Sequence, residues 1–244
     1  GIRISFADAT VPSKVTYRLL LLVEPTMNGT RADFKAIDIH AGGIAWVGRY
    51  LYVADTSRGL RVFDTGRILE VATTKNVLGY DSDTKKYYAY KYRYIVPQVG
   101  FYRQQSKCNP RFSFVALDRT STPPALVSGE YASSSIAGRL FRWPVDLKTG
   151  KMPTGTFYPE KAYYLGKRQV QGAVSHGATT YLSSSQPPSG HGDLTGTTPG
   201  KRLFTDAWID GSEDLVYDVT RGQLWGAGEA RGKRYVFAVD AAKL

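Results

Sequence analysis

Cysteine, histidine, methionine and long apolar runs are all scarce in this chain. A single cysteine, Cys108, among 244 residues excludes any disulfide within the chain. That suits a reducing compartment, and equally an exported bacterial protein large enough to fold without covalent staples. Its setting, "SKCNPRF", provides no catalytic context, so Cys108 reads as an inert thiol. The three histidines, His40, His176 and His191, occur in no HxxxH spacing, and there is no DxDxDG loop, so no motif fixes a metal. G-x-S-x-G is also missing, and a triad assembled from Ser184, His191 and Asp193 has nothing to support it. The most apolar run, "YRLLLLVEP", is far too short to span a bilayer. No signal peptide is visible: the first residues, "GIRISFAD", already read as a strand, and any leader is expected upstream.

Helical periodicity is equally sparse. No long segment carries a 3.6-residue apolar repeat with caps, and "TGRILEVA" offers at most one helical turn. What is present is β material: 17 tyrosines, 25 glycines and 12 prolines, in short β-branched and aromatic runs bounded by Gly, Pro, Asp and Ser. The expectation is an all-β chain forming a single domain over residues 1–244.

These runs repeat. Gly42–Thr56, "GGIAWVGRYLYVADT", aligns without a gap on Gln171–Ser185, "QGAVSHGATTYLSSS". Further copies are "EDLVYDVTRGQLWGAGE" and "RFSFVALDRTSTPPALVSGEY". Each copy reads as strand, tight turn, strand. Third strands follow, most ending in Asp ("GLRVFD", "GRLFRWPVD", "KRYVFAVD"), with "GDLTGTT" a weaker member. Fourth strands are expected in "YYAYKYRYIVP", "KAYYLGKRQ" and "KRLFTDAWI". Four strands recurring roughly every 45 to 65 residues are the signature of propeller blades. "GIRISFAD" and "VTYRLLLLVEP" match third and fourth strands, so the chain is expected to open on the outer half of a blade. This favours five four-stranded antiparallel blades, the first incomplete. Its missing strands would come from an absent N-terminal segment or another chain. Four blades are the alternative.

"RISFAD", "YRLLLLVEP", "HAGGIAWVGRYLYVADTSRGLRVFD", "EDLVYDVTRGQLWG" and "RYVFAVD" resemble, in their order, secreted actinobacterial proteins of Streptomyces type. The resemblance covers most of the chain and is loose between residues 70 and 110. It implies export, a propeller fold and an upstream segment in full-length relatives. It implies no established activity and no catalytic residues.

In a propeller the first strand of each blade lines a central channel, and ligands meet its mouth. The residues entering the first strands are therefore the candidates: His40, Arg111, Gln171, Glu213 and Asp214. Convergence of the carboxylates on His40 would admit a channel cation, although no cofactor is predicted. Each candidate also has a structural role open to it: a blade-to-blade hydrogen bond for His40 or Gln171, a strand cap or an Arg111 pair for the carboxylates. Glu213 and Asp214, adjacent along a strand, point to opposite faces unless a bulge intervenes.

Other features carry less. His176 is expected in a surface turn, and His191 in a Pro/Ser/Gly loop. Tyr88, Tyr90, Tyr92 and Tyr94 would share one strand face opposite Lys91 and Arg93, packing between blades or offering a stacking platform. "NGT" at Asn28 reads as a turn before it reads as a glycosylation site. The net charge of +11 favours anionic partners, with extracellular glycans or anionic polymers ahead of nucleic acid, because the basic residues form no block. The functional expectation is an exported binding protein that takes a glycan or other extracellular ligand at the channel mouth. A hydrolase or lyase at the same place is the alternative.

Overall fold

The computed structural model describes residues 1–105, 107–156, 158–185, 191–229, 232 and 234–244. Among the described residues the chain is all β, with three single-turn 3-10 helices and no α-helix. Its strands are β1 (Arg3–Asp8), β2 (Thr16–Asn28), β3 (Arg31–Ala36), β4 (Ala41–Val47), β5 (Tyr50–Asp55), β6 (Gly59–Asp64) and β7 (Leu69–Glu70). There follow β8 (Leu78–Asp81), β9 (Lys86–Ala89), β10 (Tyr94–Arg103), β11 (Phe114–Asp118), β12 (Ala125–Gly129), β13 (Arg139–Pro144) and β14 (Lys161–Tyr164). The last are β15 (Val170–His176), β16 (Thr179–Ser184), β17 (Gly192–Thr198), β18 (Lys201–Trp208), β19 (Ser212–Asp218), β20 (Gln223–Gly228) and β21 (Val236–Asp240). The chain divides into two compact units, Gly1–His40 with Arg61–Phe101, and Ala41–Leu60 with Tyr102–Leu244.

The first unit is organised by β2. Its opening half pairs antiparallel with β1, from Arg3↔Leu21 to Asp8↔Thr16. Leu20–Val23 pair in parallel with Tyr94–Pro97 of β10, and Val23–Asn28 pair antiparallel with β3. The sequence placed "VTYRLLLLVEP" as the outer strand of a blade; instead it is flanked along its centre. The physical reason lies in the run itself, since Leu20, Leu21, Leu22 and Val23 are all buried, as expected of a strand covered on both faces. Arg61 of β6 is also buried, donating to Glu24 Oε2 of β2 at 3.1 Å and to Gln98 Oε1 of β10 at 2.6 Å.

The expected fourth strand "YYAYKYRYIVP" is two elements. β9 pairs with β8, and Tyr90 and Lys91 then take left-handed backbone conformations, at φ 50° and 68°, before β10 begins. The turn destroys the period of two, so the four tyrosines share no face: Tyr88 is buried while Tyr90 is exposed. "NGT" is the β2–β3 turn, with Gly29 at φ 60°.

The second unit follows the repeat closely. It holds the β4–β5 hairpin, the antiparallel sheets β11–β12–β13–β14 and β15–β16–β17–β18, and the three-stranded sheet β19–β20–β21, each in chain order. Apolar residues alternating along the strands fill the space between neighbouring sheets. Phe114, Val127 and Leu140 pack on Val170, Ala173 and Leu182, and Val174 and Leu194 on Leu215 and Leu224. The first strands touch one another: β4 with β11, β11 with β15, β15 with β19 and β19 with β4, with β11 and β19 also in contact across the middle.

The recurrent terminal Asp has a local cause. Its carboxylate turns back to accept the backbone amide two residues on, Asp64 from Gly66, Asp146 from Lys148 and Asp240 from Ala242. Asp118 and Asp218 end first strands in the same way. These Asx turns end each strand and redirect the chain.

Close approach of first strands demands glycine at Gly172, where a Cβ would stand 2.6 Å from the Glu213 carbonyl oxygen and 2.8 Å from the Asp214 Cα. Gly172→Ala is expected to cost roughly 1–3 kcal/mol by overpacking. Lys161→Ala, at an exposed position of β14, should stay within about 0.5 kcal/mol of the parent. Urea denaturation of the two variants measures both.

Candidate functional site

Three first strands share one irregularity. In β4 the pairing with β5 slips between Ala41 and Ile44, leaving Gly42 and Gly43 bulged. In β15 it slips between Val170 and Gly172, at Gln171. In β19 it slips between Ser212 and Leu215, at Glu213 and Asp214. Each slip adds one residue to the first strand, and a bulge re-aims the side chains it carries. The bulged positions include three of the five candidates named from sequence.

The second unit brings Gln171, Glu213 and Asp214 together. Asp214 Oδ2 accepts the Ile44 amide of β4 at 2.9 Å, and Oδ1 accepts its own neighbour Leu215 at 3.0 Å. The amide of Val115 in β11 adds a third backbone donor. A methyl group on Gly43 would overlap this carboxyl. Burial pushes the Asp214 pKa well above the usual carboxylate range, opposed by the amides that hold the carboxyl. With its oxygens committed to backbone, Asp214 is a structural clamp between first strands, and it neither caps a strand end nor pairs with Arg111.

Glu213 faces a different set of groups. Gln171 Nε2 donates to its Oε1 at 3.3 Å, and its carboxyl meets that of Glu229 just after β20. Burial first, and then the Glu229 charge and hydrogen bond, raise its pKa to about 7. With its pKa raised this far, the Glu213 carboxyl is partly protonated near neutrality. Such a group donates when protonated and accepts when ionised, which suits hydroxyl groups, and it can hold or release a proton.

Arg111 is exposed, and its amide donates to Glu130 Oε1 at 3.1 Å. The Glu130 carboxylate is gripped by Arg139, with Nε 2.7 Å from Oε2 and Nη2 2.6 Å from Oε1. Arg111 is thus held through its backbone, and the carboxylate nearest its amide is Arg139's partner. His40 belongs to the first unit, exposed and just before β4.

Sequence reasoning missed Glu229 and Glu130. Both follow a Gly that ends the second strand of a copy, in "GAGE" and "VSGE". A second strand runs antiparallel to the first, so its end lies beside the head of the first. Repetition of that Gly-Glu ending was the available signal.

The remaining candidates separate. Ser184 Oγ donates to the Arg168 carbonyl, His191 Nδ1 lies 3.0 Å from Asp210 Oδ1, and Asp193 binds Lys167. Each member of the considered triad therefore has another partner. The centre of the Pro/Ser/Gly loop, 186–190, lies outside the described residues. His176 ends β15 stacked on the Tyr217 ring at 3.8 Å rather than standing free in a turn. Among the described residues no group of three His, Cys, Asp or Glu is placed to hold a metal ion.

No family model matches the chain, and no curated protein does. Among solved structures, it is similar to the computationally designed Ika4 protein at 10% identity, covering 84% of this chain and 94% of that one with a TM-score of 0.33. It is similar to hydrazine synthase of Kuenenia stuttgartiensis at 11% identity, covering 91% and 76%, with a TM-score of 0.39. Likenesses this distant carry no argument about fold or function.

The raised Glu213 pKa gives a signed prediction. The folded state holds this proton more tightly than the unfolded chain, whose carboxyl titrates near 4.5. The stabilisation it gives is complete below that pH and is lost as pH rises through about 7. The melting temperature of the parent, relative to Glu213→Gln, should therefore fall between about pH 5 and about pH 8. A difference that does not change with pH counts against the raised Glu213 pKa.

Proposed function

We propose that the protein is an exported β-propeller binding protein that recognises a glycan or other extracellular ligand at the gathered heads of β4, β11, β15 and β19. The propeller reading rests on the close gathering of these four first strands, β11 and β19 included, and on the Asp214–Ile44 bond between β19 and β4. That bond leaves no room for a fifth first strand between them, so four blades are preferred to five. Export rests on the resemblance to secreted actinobacterial proteins.

The observation that carries the binding reading is the group Gln171, Glu213 and Glu229 at the strand heads. An amide beside a carboxyl that is partly protonated at neutral pH offers donors and acceptors together, as recognition of sugar hydroxyls requires. A glycan array followed by thermal-shift titration tests it. Binding of a neutral oligosaccharide that weakens at least about tenfold in Glu213→Gln or Gln171→Ala is expected, a loss of roughly 1.4 kcal/mol. Failure across the array rejects the reading.

The same carboxyl supports a hydrolase or lyase as second reading, because a pKa of about 7 suits a general acid at neutral pH. Release of reducing ends from a bound glycan, abolished in Glu213→Gln, would move the protein to that class.

A further inference from the structure

We propose that the groove between the outer strands of sheets β11–β14 and β15–β18 is a separate binding site for an acidic saccharide. The groove encloses about 450 Å³, within the usual range for small-ligand sites. None of His40, Arg111, Gln171, Glu213, Asp214 or Glu229 lines it, so it stands independently of the strand-head site.

Its lining has four cations, Arg142, Lys167, Lys201 and Arg202, and no carboxylate. Two of these charges are already compensated: Arg142 Nη2 lies 2.6 Å from Asp118 Oδ2, and Lys167 Nζ 2.9 Å from Asp193 Oδ2. Lys201 and Arg202, at the start of β18, pair with no carboxylate among the described residues. They leave the groove with two uncompensated positive charges at one end. A cleft with low-dielectric walls and one sign of charge concentrates anions.

The rest of the wall fits sugar. Five threonines line it: Thr180 is bonded to Ser175, Thr195 to Thr205 and Thr197 to backbone carbonyls, so these oxygens keep acceptor capacity, and Thr198 completes the set. On the facing strand Tyr164 is 75% exposed, while Tyr163 packs against the core beneath. An exposed ring on a packed strand offers a flat face for a pyranose at little entropic cost. One presented ring, two free cations and a polar threonine floor match a short carboxylated or sulfated oligosaccharide. A nucleic-acid strand would need a longer track of cations and successive rings.

Calorimetric titration tests this with tetragalacturonate, a heparin tetrasaccharide, neutral cellotetraose and single-stranded oligothymidylate as probes. Binding of one of the two acidic saccharides is expected, weakening as salt rises. The two acidic probes separate carboxylate from sulfate recognition. Lys201→Ala combined with Arg202→Ala should weaken binding at least about tenfold, roughly 1.4 kcal/mol. Tyr164→Ala should weaken it severalfold, while Glu213→Gln should leave it unchanged. All three groove positions are exposed, and an unaltered melting temperature confirms folding. The proposal is overturned if neither acidic saccharide binds, if the double variant binds as the parent does, or if oligothymidylate binds more tightly. Loss in Glu213→Gln instead would assign acidic saccharides to the strand heads and remove the groove site.

Discussion

The second unit depends on how closely its first strands approach. Asp214 makes that approach possible, because its carboxyl receives backbone amides from β4, β11 and its own strand. A bulge normally leaves peptide groups unpaired, and a buried unpaired amide costs on the order of 1–3 kcal/mol. Here the Ile44 amide just beyond the β4 bulge finds a carboxyl from β19, so the irregularity of one strand is satisfied by that of another. Gly43 and Gly172 are the steric condition for this arrangement, since a side chain at either would enter the Asp214 carboxyl or the β19 backbone.

The same constraint separates the two adjacent carboxylates. Along a regular strand Glu213 and Asp214 would face opposite sides and do nothing together. In the bulge Asp214 turns to backbone and becomes structural, while Glu213 turns to Gln171 and Glu229 and keeps its chemistry. One clamp thus sets both the packing of the unit and the position of its most perturbed titratable group.

Much of the second unit was legible because its signals are local. Alternating apolar runs, tight turns and an Asp at each strand end are written within a few residues of where they act, and the strands from β11 to β21 fall where the repeat places them. The gap-free alignment of Gly42–Thr56 with Gln171–Ser185 even carries the shared bulge, since Gly42 and Gln171 coincide at it. The first unit was read less well because its organising contact is not local. The parallel pairing of β2 with β10 joins segments about seventy residues apart, and no period within either segment announces it. The turn at Tyr90 and Lys91 escaped for another reason: it uses left-handed backbone at residues that are not glycine. Glu229 was hidden because its significance depends on which strand head it lies beside.

Net charge pointed in one direction and the strand heads in another. A surplus of +11 suggests an anionic partner, yet the side chains gathered at the heads of β15 and β19 are an amide and carboxyls. The two facts are compatible because charge is a property of the whole surface while recognition belongs to a place on it. In the second unit several basic side chains are absorbed by internal pairs, Arg139 on Glu130 and Arg142 on Asp118, where the buried partner fixes the cation as a structural member. Cations that are free to meet a ligand are those whose strand leaves them without an acid opposite, as at the start of β18. A basic composition says nothing of such placement, nor of the raised carboxyl at the strand heads, which no count of charges registers.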